Sequence, residues 1–124
     1  MRIGIDIDGT INSNIAFWSQ FTEYHKKALS SASKAPFNHE IHIITSRHRE
    51  LEEYTRTQLN TWGIRFDFLV LLDHPFDTTS IEERAKGKAL YCKKKKIDII
   101  YDNDLHLFYE IFREISPRTA LVLI

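Results

Sequence analysis

The sequence predicts an α/β fold in which a central parallel sheet of about five strands is covered by helices on both faces. Three observations predict it. Five short β-branched or apolar runs are spread along the chain. Segments of helical periodicity lie between them, so strand and helix alternate rather than cluster. No repeat, low-complexity stretch or Pro/Gly linker divides the 124 residues, which are therefore expected to fold as one domain, 1–124.

The elements follow in order. Arg2 to Ile7 carries isoleucine at 3, 5 and 7 and reads as the first strand. Phe17, Phe21, Tyr24 and Ala28 recur at helical spacing, and this aromatic stripe is read as core rather than as a platform for stacking bases. Ser30 to Lys34, followed by Pro36, is a polar loop. Ile41 to Thr45 is the second strand; Leu51, Tyr54, Leu59 and Trp62 mark a helix that Gly63 stops. Phe66 to Leu72 is the third strand. A helix is expected between Thr79 and Lys96, its ordered part starting near Gly87 because glycine is a poor interior helix residue. Ile97 to Tyr101 is the fourth strand, the stripe Leu105, Phe108, Phe112 and Ile115 a helix, and Thr119 to Ile124 the fifth strand. Right-handed crossovers bury such a sheet on both faces, and ligands then bind at the carboxyl ends of its strands.

Composition narrows the partners. Lys plus Arg and Asp plus Glu both number 17, so no overall field attracts nucleic acid or an anionic membrane, and neither partner is expected. No apolar run is long enough to span a bilayer, and the chain opens on a strand-like segment rather than a signal sequence, so a cytoplasmic location is expected. Cys92 is the only cysteine, which excludes an internal disulfide and cysteine-based zinc sites. The run Lys93 to Lys96 suits the negative end of a helix dipole better than a phosphate-rich partner.

Acids gather at the strand ends. Asp6 and Asp8 stand two residues apart where the first strand gives out, and alternation would put both on one side. Carboxylates this close repel unless a cation or a proton lies between them; a metal is the natural third party, and oxygen-only ligation points to Mg²⁺. A lone D-x-D-G is equally consistent with a turn and a helix cap. The fourth strand ends in Asp102-Asn103-Asp104; Asp102 is assigned to the metal first, since Asp104 before Leu105 also reads as an N-cap. The second strand ends in Thr45-Ser46-Arg47, whose hydroxyls and backbone N–H groups suit phosphate oxygens at a helix N-terminus, or alternatively cap that helix. Lys88, placed in the first turn of its helix after Gly87, is preferred over Lys86 as the cation that offsets phosphate charge.

Taken together, DIDGT at Asp6 to Thr10, ITSR at Ile44 to Arg47, Lys88, and IIYDND at Ile99 to Asp104 resemble the four motifs of the haloacid dehalogenase-like (HAD) superfamily, over nearly the whole chain. The resemblance implies a Rossmann-like three-layer sandwich and a phosphatase. In it Asp6 forms an aspartyl-phosphate, and Asp8 protonates the leaving oxygen and later activates water. Thr45 binds the phosphoryl group with Ser46 and Arg47 beside it, and Lys88 offsets its charge. Asp102 joins the Asp6 carboxylate and the Asp8 backbone carbonyl around Mg²⁺. One departure is Asn103, which separates Asp102 from Asp104 where relatives commonly have adjacent or more distant acids. Asp8 argues against dehalogenation, whose enzymes lack that second aspartate. A receiver-domain reading fails on order: Asp73 fits its phosphorylated position, but Thr45 follows strand two and Lys88 precedes strand four.

Spacing speaks to the substrate. Asp6 and Thr45 are 39 positions apart, and Thr45 and Lys88 are 43 apart, each interval filled by a crossover helix and its loops, so no sizeable cap is expected. An open site is covered either by the substrate or by another subunit, so homo-oligomerisation fits. The stretch from Thr45 through Trp62-Gly63-Ile64 to Lys88-Ala89 also resembles small proteins related to 5′(3′)-deoxyribonucleotidases, and a small phosphorylated metabolite, nucleotide or sugar phosphate, is the expected substrate. Arg47, His48 and His74 are candidates to meet a leaving group, or alternatively are solvated surface residues. The reading of a different class is a non-catalytic phosphate- or Mg²⁺-binding module.

Overall fold

Alternation of strand and helix is what the folded chain shows. The computed structural model describes residues 1–30, 39–73 and 80–124. Its strands are β1 (Arg2–Ile5), β2 (Glu40–Thr45), β3 (Phe68–Leu71), β4 (Ile99–Asp102) and β5 (Ala120–Leu123), and its α-helices are α1 (Ile15–Ser30), α2 (Glu52–Thr61), α3 (Ile81–Lys95) and α4 (Leu105–Ile115). The strands pair in parallel in the order β3-β2-β1-β4-β5. The chain therefore works outward from β1 to β3, crosses back to β4 on the other side of β1, and ends at β5. The reversal of strand order falls between β1 and β4, and such sheets bind ligands at the carboxyl ends of the strands that flank it.

Side-chain alternation divides the sheet into two cores. Ile3, Ile5, Ile41 and Ile43 face α1 and α2, packing with Trp18, Leu59 and Ile64. Ile44 and Ile100 face the other way, onto Ala85, Ala89 and Cys92 of α3 and Phe112 of α4. Gly4 lies on this second face, where a Cβ would stand 2.9 Å from Ile44 Cδ1. The result is a three-layer, Rossmann-like sandwich with α1 and α2 on one side and α3 and α4 on the other. Among the described residues no helix is long and apolar enough to cross a membrane.

Three expectations are corrected. Phe17 is 50% exposed and Tyr24 lies open to solvent, whereas Trp18 is buried at the centre of the α1 contact, stacked edge-on against Phe21 and Tyr101. The helix turns its Trp18, Phe21, Thr22 and His25 face inward, and the buried Thr22 hydroxyl is satisfied by donating to Trp18 O at 2.9 Å. Trp18→Ala is expected to cost about 3–5 kcal/mol of stability, and Phe17→Ala no more than about 1 kcal/mol, read from denaturant midpoints. In α2 likewise, Leu59 is buried and Tyr54 exposed.

The second correction concerns α3, which begins at Ile81 and runs through Gly87 rather than starting there. Ser80 caps it, its Oγ accepting from Glu83 N at 3.2 Å, and Glu82 and Glu83 complement the dipole. Those contributions match the roughly 1 kcal/mol that an interior glycine costs. Lys88 is thus in the middle of α3, not in its first turn. At the other end Lys93, Lys94 and Lys95 form the last turn and Lys96 adopts a left-handed cap, as the dipole reading expects. Gly63, at φ +73°, ends α2.

The third is the end of β1, which stops at Ile5, two residues short of the expected boundary. Asp6 N still donates to Tyr101 O at 3.0 Å, but Ile7–Ile11 then curls into a turn closed by Asn12 N on Ile7 O. The polar loop after Ser30, Thr79 and His74 lie outside the described residues.

Candidate active site

The first two acids part company at this turn. Asp6 shares the parity of Gly4 and so points to the α3 side of the sheet; Asp102 shares the parity of Ile100 and points the same way. Lys88, projecting from the middle of α3, meets both, with Nζ 3.0 Å from Asp6 Oδ1 and 2.6 Å from Asp102 Oδ2. All three are buried, at 4%, 5% and 0% exposure for Asp6, Lys88 and Asp102. The neighbouring lysine, Lys86, is exposed.

The charge of this cluster does not balance. Two carboxylates face one ammonium, so one negative charge is left in a place shielded from water. Burial pushes the Asp6 carboxyl up to about 7; Asp102 adds to the rise while Lys88 opposes it. Burial disfavours the charged form of Lys88 too, yet Asp6 and Asp102 together outweigh it and hold the ammonium above its ordinary range.

Asp8 is placed differently from what strict alternation implies. Because the chain has left the strand, its carboxylate is 56% exposed and belongs to Arg47 rather than to the Asp6 cluster. Arg47 Nε donates to Asp8 Oδ2 and Nη2 to Asp8 Oδ1, both at 2.9 Å, a two-pronged pairing. Asn12 Nδ2 adds a longer contact to Oδ1 at 3.3 Å. The Asp8 hydrogen bond, ahead of the charge itself, raises the Arg47 guanidinium further above its usual range.

Gly9 lets the loop pass. Its φ is +86°, and a Cβ there would stand 2.3 Å from Asn103 Nδ2. Asn103 thus packs directly on the turn; its backbone N donates to Thr10 Oγ1 at 3.1 Å. The buried Thr10 hydroxyl has a single proton to share between Asn103 Oδ1 at 3.4 Å and Asp6 Oδ2 at 3.5 Å. Asn103, which seemed only to interrupt the acids, ties the β4 end to the β1 turn. Asp104 N donates to Asp102 Oδ1 at 2.9 Å, fixing the rotamer of that carboxylate, and no side-chain cap from Asp104 to α4 forms.

At the end of β2, Thr45 is buried and its Oγ1 accepts Arg47 N at 3.2 Å. Contrary to the sequence expectation, Thr45 and Ser46 are not at a helix N-terminus. The next turn is Arg49–Leu51, capped by His48, whose Nδ1 accepts from Glu50 N, and α2 starts only at Glu52. Asp73 takes Arg49 N at 2.8 Å and lies 3.4 Å from His48 Nε2, so His48 is engaged at the rim. The side chains that hold Arg47, namely Thr55 Oγ1 at 3.2 Å and Gln58 Oε1 at 2.7 Å, were missed from sequence. Their i, i+3 spacing on one face of α2 is the only signal they give.

Among the described residues no three His, Cys, Asp or Glu side chains converge on one metal position. The donor set nevertheless suits one ion. Asp6 and Asp102 offer two hard oxygen donors and a surplus negative charge, and Mg²⁺ characteristically takes one or two carboxylates and completes its shell with water and phosphate. A softer or more heavily liganded metal does not fit this set.

No family model matches the sequence, and no curated protein does. A chain in the structure of the Pnkp1/Rnl/Hen1 RNA repair complex is similar in fold, with a TM-score of 0.63 at 13% identity over 99% of this chain. This chain spans 42% of that one. A likeness at this identity carries the three-layer fold alone.

Proposed function

We propose that the chain is a Mg²⁺-dependent phosphomonoesterase of the HAD type, working through an aspartyl-phosphate on Asp6 and acting on a small phosphorylated metabolite. One observation carries the reading: a buried carboxylate held by a lysine at the carboxyl end of β1, with a second, exposed carboxylate two residues on. Lys88 steadies the first carboxylate for attack, and exposure sets the second on the solvent side, where a leaving group departs; both come from one five-residue segment.

Each side chain then has a task. Asp6 attacks phosphorus in line with the ester oxygen, the P–O(ester) bond breaks, and Asp8 supplies the proton that the departing alkoxide requires. Asp8, now a carboxylate, takes a proton from water as that water attacks the phosphoryl group, and Asp6 is released with inorganic phosphate. Lys88 orients Asp6 and offsets the negative charge crowding the cluster. Thr45, Ser46 and Arg47 at the end of β2 are assigned to the phosphoryl group and the leaving group. Mg²⁺, held by Asp6, Asp102 and the Asp8 carbonyl, would neutralise phosphate oxygens and fix their orientation.

The test is phosphate release from a panel of nucleoside monophosphates and sugar phosphates, with Mg²⁺ and then with EDTA. Turnover that EDTA removes and Mg²⁺ restores is expected. Silence from folded protein that still binds Mg²⁺ would replace this reading with a non-catalytic phosphate- or Mg²⁺-binding module.

A further inference from the structure

The pairing of Arg47 with Asp8 conflicts with the chemistry just assigned to Asp8. Both of its oxygens accept from the guanidinium, at 2.9 Å each, whereas an acid must carry a proton on one of them, and that proton competes with the pairing to Arg47.

The two partners are not equally free to move. The Arg47 side chain is 11% exposed and is fixed from behind: Nη1 donates to the buried Thr55 hydroxyl and to Gln58 Oε1, and its backbone N to Thr45 Oγ1. None of these contacts involves Asp8. The Asp8 side chain is 56% exposed and, apart from Arg47, has the longer Asn12 contact. When the pair separates, Asp8 swings and Arg47 stays, presenting Nε–H and Nη2–H side by side. A fixed guanidinium with two parallel donors matches a carboxylate or a phosphate.

We propose that Arg47 is a preformed anion socket in which Asp8 is the resident occupant, and that the substrate is a phosphomonoester whose leaving group carries a second anion that takes Asp8's place. The inference rests on the hydrolase reading above. Its content is an exchange of ion-pair partners: the substrate's second anion enters the Arg47 fork, and the released Asp8 carboxylate takes a proton from solvent and delivers it to the leaving oxygen. A leaving group without an anion cannot make that exchange, so Asp8 stays paired and the substrate is disfavoured. Selectivity of this kind needs no cap, because the acid/base residue itself reports whether the second anion is present.

The test compares matched substrates with Mg²⁺: 2-phosphoglycerate against glycerol 2-phosphate, and adenosine 3′,5′-bisphosphate against adenosine 3′-monophosphate. The wild-type protein is expected to favour the more anionic member of at least one pair by about tenfold or more in kcat/KM. Arg47→Lys, which keeps the charge but loses the fork, should bring that ratio to within about threefold. A second readout does not depend on turnover. In Asp6→Asn protein, the Arg47 Nε–H resonance, assigned by its loss in Arg47→Lys, should shift with the favoured anionic ligand and not with its matched partner. Hydrolysis of both members of both pairs at equal efficiency, with no shift of that resonance, overturns the socket and leaves the hydrolase. A shift without any hydrolysis by the wild-type protein keeps the socket and overturns the hydrolase.

Discussion

Asp6→Asn is expected to lower phosphate release by on the order of a thousandfold or more while raising the melting temperature of the metal-free protein at pH 8 by roughly a few degrees. The two effects have one cause. The folded state places a carboxylate where water cannot reach it and beside another carboxylate, with a single lysine between them. Burial, and after it Asp102, carry the Asp6 carboxyl from 3.8 to about 7. Between those values the folded protein holds a proton that the unfolded chain has lost, so stability is greatest below about pH 4 for this group and falls as pH rises through about 7.

At pH 8 the native protein therefore carries Asp6 as an anion at a cost to stability. Asparagine has nearly the same shape, retains an oxygen to accept from Lys88, and removes the charge. It also removes the proposed nucleophile. Calorimetry with EDTA at pH 5 and pH 8 checks the claim: the gain should be larger at pH 8. A melting temperature that falls equally at both would mean that the buried charge is not what strains this site, and the case for a site selected for chemistry rather than stability would weaken.

The parts of this arrangement that could be read from sequence are those set by period-two alternation and by strand ends. Asp6 and Asp102 were found because each closes an isoleucine-rich run, and parity alone puts both on the face that meets α3. Sequence points to Lys88 on a mistaken ground, a start of α3 near Gly87; it is in place because the helix starts a turn and a half earlier and brings that residue over Asp6 and Asp102. What was not legible depends on the phase of helices. Along α1 two stripes compete, and the aromatic one through Phe17 and Tyr24 looks more apolar than the buried one, which contains Thr22 and His25. Tertiary contact with Tyr101 and Ile64, which local periodicity does not see, decides in favour of Trp18. The fork behind Arg47 was hidden for a related reason. Thr55 and Gln58 are ordinary polar residues in mid-helix, and only the true start of α2 at Glu52 tells that they face back toward the β2 end.

Lys88→Met is expected to be the most destabilising single change in the site, by about 3–5 kcal/mol at pH 8, because it strands two buried carboxylates without their shared cation. Methionine fills the same unbranched path through the α3 side of the core, so the loss measures charge rather than a cavity. Lys88 is what restrains the rise of the Asp6 carboxyl. Without it that group holds its proton to higher pH, so the variant should recover stability on acidification. The penalty is expected to grow as pH rises above about 7, where only the native protein gives up the Asp6 proton, and to level off below it, where both folded proteins hold that proton, in urea titrations with EDTA present. Mg²⁺ then separates two accounts of the cluster. If Asp6 and Asp102 are metal donors, the cation competes with Lys88 in the native protein and has those oxygens to itself in the variant. Saturating Mg²⁺, at about a hundred times its dissociation constant, should return roughly 2–3 kcal/mol. That recovery should exceed the gain in native protein at the same Mg²⁺ concentration. If Mg²⁺ moves neither protein, Asp6, Lys88 and Asp102 form a buried ion cluster that holds β1, β4 and α3 in register, and the catalytic metal must be abandoned along with the hydrolysis it supports.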